Sequence, residues 1–85
     1  MKQRFILAVE RKNLTEQDEI RLLNLDRTLF LSENSFKRIL KDTLQDREGK
    51  VKAIIGTFAE WVQFVRENVD FKPEDHVTID LEIEY

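Results

Sequence analysis

The chain has 85 residues, with 14 Lys and Arg against 17 Asp and Glu, one histidine and no cysteine. That length suits one domain, residues 1–85, with a modest core, since a fold of this size buries roughly 60% of the surface its unfolded chain exposes. The lack of cysteine excludes a disulfide framework, a thiolate metal centre and a thiol nucleophile. No apolar run approaches the roughly 18 residues that cross a bilayer, and no signal-peptide pattern opens the chain, so a soluble, cytoplasmic protein with no membrane contact is expected. The net charge of −3 is unevenly spread: residues 1–52 carry 12 basic against 9 acidic side chains, and residues 53–85 carry 2 against 8. Such halves supply two surfaces of opposite sign, or two elements that face and neutralise each other.

In chain order, Arg4-Phe5-Ile6-Leu7-Ala8-Val9 is a short apolar run without helical spacing, which predicts a buried or half-buried strand. Thr15-Glu16-Gln17-Asp18 has the form of a capping box, and the helix it opens carries Leu22, Leu25 and Leu29 on one face. Ser32-Glu33-Asn34-Ser35 stops that helix and starts a second, which presents Phe36, Ile39, Leu40, Thr43 and Leu44. Asp46-Arg47-Glu48-Gly49 breaks the second helix. Val51, Ile55, Phe58, Val62, Val65 and Val69 then recur at alternating steps of four and three, which predicts a third helix over the whole span, closed before Pro73. From Val77 to Tyr85 apolar residues alternate strictly with Thr78, Asp80, Glu82 and Glu84, the pattern of a strand with one acidic face.

The expected fold is therefore α+β in the order β-α-α-α-β, three helices packed on a small sheet formed by the N- and C-terminal strands. Lys2 and Arg4 on one strand face Asp80, Glu82 and Glu84 on the other, and opposite charges across a strand pair support the pairing. A two-stranded sheet leaves two open edges, so edge-to-edge pairing with a second copy, a homodimer, is also expected.

Catalytic chemistry finds no foothold. His76 has no convergent partner at motif spacing and reads as a solvent-facing histidine at a strand edge. Ser32 and Ser35 fall in a helix cap with no nucleophile-elbow context, and Gly49 and Gly56 stand alone, so no loop cradles a phosphate. Asp80, Glu82 and Glu84 lie about 6–7 Å apart along one strand face, which splays carboxylates rather than converging them on a cation. No catalytic residue, metal site or cofactor is assigned.

Two binding surfaces remain. Residues Leu25 to Leu40 resemble a helix-turn-helix segment, with Leu25, Leu29, Leu31, Phe36 and Ile39 in apolar positions and a serine-rich start to the second helix. The ribbon-helix-helix family shares such a helix pair behind a strand. The resemblance covers 16 of 85 residues, and Asp26 and Phe30 stand where those motifs have a small residue and a glycine. It implies a DNA-binding regulator that would use Ser32, Asn34, Ser35, Lys37, Arg38 and Lys41. A pI near 5.2 opposes non-specific nucleic-acid binding. The other surface is the third helix, whose apolar arc is widened by Ala53, Ile54, Trp61 and Phe64; bulky aromatics at the rim of such an arc anchor protein interfaces. The leading expectation is a non-enzymatic protein-interaction module, a regulator or inhibitor of a larger protein. It would bind a protein partner through Trp61, Phe64, Asp80, Glu82 and Glu84.

Overall fold

The computed structural model describes residues 1–45 and 51–85, and the helix break expected at Asp46–Gly49 lies outside them. The described elements are β1 (Lys2–Glu10), α1 (Glu16–Leu23), β2 (Leu29–Phe30), α2 (Glu33–Thr43), β3 (Ala53–Thr57), α3 (Phe58–Glu67) and β4 (His76–Glu84). They build an α+β domain with three helices and a four-stranded mixed sheet in the order β2-β4-β1-β3. The terminal strands pair as expected, antiparallel from Lys2↔Glu84 to Glu10↔His76. The two-strand expectation is corrected: β3 adds antiparallel to the far side of β1, and the short β2 adds parallel to β4.

Different exposure explains why the two central strands read differently. Side chains of Phe5, Leu7 and Val9 join Val77, Ile79, Leu81 and Ile83 in the main core, together with Leu22 of α1, Phe30 of β2, Phe36 and Leu40 of α2, and Leu44 and Val51 beyond it. Each fully buried aliphatic side chain there contributes about 1.5–3 kcal/mol. Ile6 and Ala8, pointing to the other face, are buried as well, outside that core. Here α3 packs against β3 and β1. Covered on both faces, β1 is a continuous apolar run from Ile6 to Val9. On β4 the second face is partly open, with Thr78 and Glu82 exposed, and the sequence alternates accordingly.

Helix starts follow the caps. Thr15 Oγ1 accepts the Asp18 N–H at 3.2 Å, while the Thr15 N–H donates to Asp18 Oδ2 at 2.9 Å, inside a site that leaves Asp18 only 2% exposed. Ser32 Oγ accepts the Ser35 N–H at 3.1 Å and opens α2. The first helix is shorter than its leucine spacing implies. It ends at Leu23, and Asn24 to Arg27 form turns before β2. The third helix is also corrected: residues 53–57, placed in a helix by the four-and-three spacing, form β3. Ile54, Ile55 and Thr57 are β-branched, Gly56 is a poor helix former, and Thr57 caps the helix that follows. Val51 is buried in the main core, whereas Val69, the far end of the supposed stripe, is 87% exposed.

Candidate interaction surface

The acidic strand is largely neutralised within the fold. Arg4, across from Glu82 in register, turns its guanidinium diagonally to Asp80, with Nε donating to both carboxylate oxygens at 2.9 and 2.8 Å and Nη2 to Oδ2. The same guanidinium lies 4.1 Å from the centre of the Phe58 ring, a cation–π contact. The hydrogen bond to Asp80 raises the Arg4 pKa further, although Arg4 is solvated. Glu84 Oε1 accepts from the N-terminal ammonium at 2.8 Å. That hydrogen bond, with the ammonium's charge and that of Lys2, holds the Glu84 carboxyl below its ordinary range. Glu82 is exposed and makes no ion pair among the described residues. Of the three acidic residues read as partner-binding, the fold thus leaves Glu82 open and engages Asp80 and Glu84 internally.

The aromatic pair of α3 belongs to a larger cluster. Trp61 stacks on Phe64 with ring centres 5.7 Å apart, and Phe71 meets both edge-on at 5.3 and 5.4 Å. Phe71 then covers His76 at 4.5 Å. His76 is correspondingly half-buried at the start of a central strand, which corrects its reading as a solvent-facing edge residue, and its Nδ1 donates to the Lys72 carbonyl at 2.9 Å. Phe30 packs on Phe36, 5.2 Å away, in the main core.

The segment that resembles a helix-turn-helix has a different connection. Nine residues, 24–32, separate α1 from α2, and two of them form β2 on the edge of β4; a helix-turn-helix joins its helices by a turn of about 3–4 residues. Asp26, a misfit in that motif, has a structural use here, because its Oδ1 accepts the Asp80 backbone N–H at 2.8 Å. Ser32 caps α2 and donates to Ser35 Oγ. Asn34, Lys37, Arg38 and Lys41 lie exposed along α2, and Lys37 pairs with Glu33 at 3.3 Å. Among the described residues no group of three or more His, Asp or Glu side chains is arranged to hold a metal ion. No helix among them is long and apolar enough to cross a membrane.

The surface that sequence reasoning missed is the outer edge of β3, which no other described strand pairs with. Glu10 N–H donates to the Lys52 carbonyl at 2.9 Å, which sets the alternation of the β1–β3 ladder. Backbone groups of Ile54 and Gly56 therefore turn toward β1, while those of Ala53 and Ile55 point outward. The Thr57 N–H also points outward but is held by Glu60 Oε1 at 3.2 Å. Two grooves open along this edge, each lined by apolar residues and by Glu60. One of about 220 Å³ lies between Ile54 and the α3 residues Trp61 and Phe64. A second groove of about 170 Å³ runs beside Phe5, Phe36, Ile55 and Tyr85 and is rimmed by Glu33, Lys37 and Glu60. Ile55 itself is 46% exposed. The signal for this strand was present as Thr57-Phe58-Ala59-Glu60, a Thr-x-x-Glu capping box that marks a helix start at Phe58 and leaves Ile54-Ile55-Gly56 outside it.

No protein-family model, curated protein or solved structure matches this chain significantly.

Proposed function

We propose that this chain is a non-enzymatic protein-interaction module whose binding face is the open edge of β3 together with the aromatic side of α3. One observation carries the reading. The outward N–H and C=O groups of Ala53 and Ile55 lie between two grooves of apolar and charged lining, one of them walled by Trp61 and Phe64. An added strand gains main-chain hydrogen bonds from such an edge, and its alternating side chains gain the grooves beside it. Glu82 offers a second, charged contact, while Asp80 and Glu84 join only when Arg4 and the N-terminus release them. Regulation or inhibition of a larger protein is the role that suits a small module of this kind.

The test is quantitative capture from the source cell's lysate. The Trp61→Ala/Phe64→Ala double variant, and separately Ile55→Pro, are expected to lose the partner that wild type retains while keeping native circular dichroism. Unchanged capture by both variants would sink the reading. An electrophoretic shift of random duplex at low salt that disappears in Lys37→Ala/Arg38→Ala would instead support the DNA-binding alternative.

A further inference from the structure

We propose that the partner seated on the β3 edge is a second copy of this chain, joined β3 to β3, antiparallel, about a two-fold axis through the Ile54 pair. The proposal rests on the reading of the β3–α3 face as a binding surface and names its occupant.

Backbone, side-chain size and charge together select this arrangement. Centring the axis on Ile54 sets Ala53 against the partner's Ile55 and Ile55 against the partner's Ala53. Every outward backbone group of those residues then pairs. Slipping by two residues one way sets Ala53 opposite the partner's Thr57, whose N–H is already taken by Glu60; slipping the other way sets Ala53 against Ala53 and moves Lys52 away from the partner's Gly56. In the centred register a small residue faces a large one on the side of the main core. On the other side Ile54 meets the partner's Ile54 beside Trp61.

Charge adds a self-complementary pair. The same register places Lys52 against the partner's Gly56. Glu60 stands directly over Gly56 within one chain: a Cβ built on Gly56 would lie 3.2 Å from Glu60 Cβ and 3.9 Å from Oε2. With no side chain on Gly56, the Lys52 ammonium has room to reach the partner's Glu60. Glu60 Oε1 is committed to the Thr57 cap and Oε2 faces this space. Lys52 makes no ion pair among the described residues of its own chain. Two-fold symmetry repeats the contact, and the two sheets become one continuous sheet. An unrelated apolar strand would satisfy the backbone groups but not the Lys52–Glu60 pairing.

The absence of cysteine makes the register directly measurable. In an antiparallel pair that does not exchange hydrogen bonds, opposite Cα atoms lie about 4.5 Å apart, within the range a disulfide spans. Ile54→Cys is therefore expected to form disulfide-linked dimers at least about tenfold faster than Val69→Cys, an exposed site outside the interface. Sedimentation of the wild-type chain over about 5–500 µM should show a concentration-dependent dimer. Ile55→Pro removes an outward N–H without touching the β1 ladder, and is expected to raise the dissociation constant at least about tenfold with unfolding unchanged. Lys52→Glu should weaken the dimer most at low salt. A wild-type chain monomeric at the highest concentration overturns the proposal, as does an Ile54→Cys variant that cross-links no faster than Val69→Cys. If the chain is monomeric but Trp61→Ala/Phe64→Ala still abolishes lysate capture, the dimer falls and the interaction module stands. If the dimer forms in this register while capture ignores every edge and aromatic variant, binding of a foreign partner falls and the dimer stands.

Discussion

The carboxylate of Asp26 accepts the backbone N–H of Asp80 at 2.8 Å, and the N–H of the next residue, Arg27, returns to the Asp80 carbonyl at 2.6 Å. Together they stitch the α1–β2 turn to the side of β4 that β1 does not occupy. Asp26→Ala leaves the Asp80 N–H without this acceptor and is expected to cost about 1–2 kcal/mol, whereas Asp26→Asn keeps a carbonyl in place and costs less. The difference is read as a lower urea midpoint with an unchanged slope.

Arg27 holds this turn with φ of 60°, in the left-handed region. A side chain there costs about 1–2 kcal/mol, part of which glycine recovers against its greater freedom in the unfolded chain. Arg27→Gly is therefore expected to stabilise the fold by about 0.5–1 kcal/mol. The β-branched Arg27→Val should lose at least about 1 kcal/mol, and paired thermal melts distinguish the two.

Thr57 ends β3 and caps α3, with no residue between strand and helix. Its Oγ1 accepts the Glu60 N–H at 3.2 Å. Thr57→Ala should cost about 1 kcal/mol. Hydrogen exchange in the first turn of α3 should accelerate in that variant more than exchange in α1 or α2.

The Glu84 carboxyl titrates below its ordinary value of 4.5 because the N-terminal ammonium donates to it. A carboxyl depressed by folding adds stability that is fully present above its unfolded pKa and is lost as pH falls through the folded one. Wild type should therefore exceed Glu84→Gln in stability near neutral pH, and the two should converge as pH drops below 4.5. Denaturant midpoints collected across that range check the sign.

Much of this fold was legible because its signals are local. The alternation from Val77 to Tyr85, the apolar run from Ile6 to Val9, and the caps at Thr15 and Ser32 each report an element that exists. Two errors have one cause, which is reading apolar spacing across a boundary. Leu22, Leu25 and Leu29 continue a helical stripe on paper. The chain turns after Leu23 and enters its left-handed conformation at Arg27, a residue that gives no sequence mark as glycine would. Val51 and Ile55 match the period of α3 but belong to the core and to a strand, because Thr57 and Glu60 fix where the helix begins. The candidate surface was visible in part: Trp61 and Phe64 do lie together on α3. The strand edge beside them depends on β3, whose pairing with β1 is a long-range event that no local pattern encodes.

The two strands at the middle of the sheet come from opposite regions of the chain, so Arg4 and Asp80 meet across a separation of 76 residues. Until β4 meets β1, Leu7 and Val9 lack the Val77 and Ile79 side chains that flank them in the core, although β3 and α3 can already pair with and cover the other side of β1. The helices can form earlier, but the sheet they cover cannot close around them. Folding is thus expected to be slow for a domain of this size, because its central strand pair is also its longest-range contact.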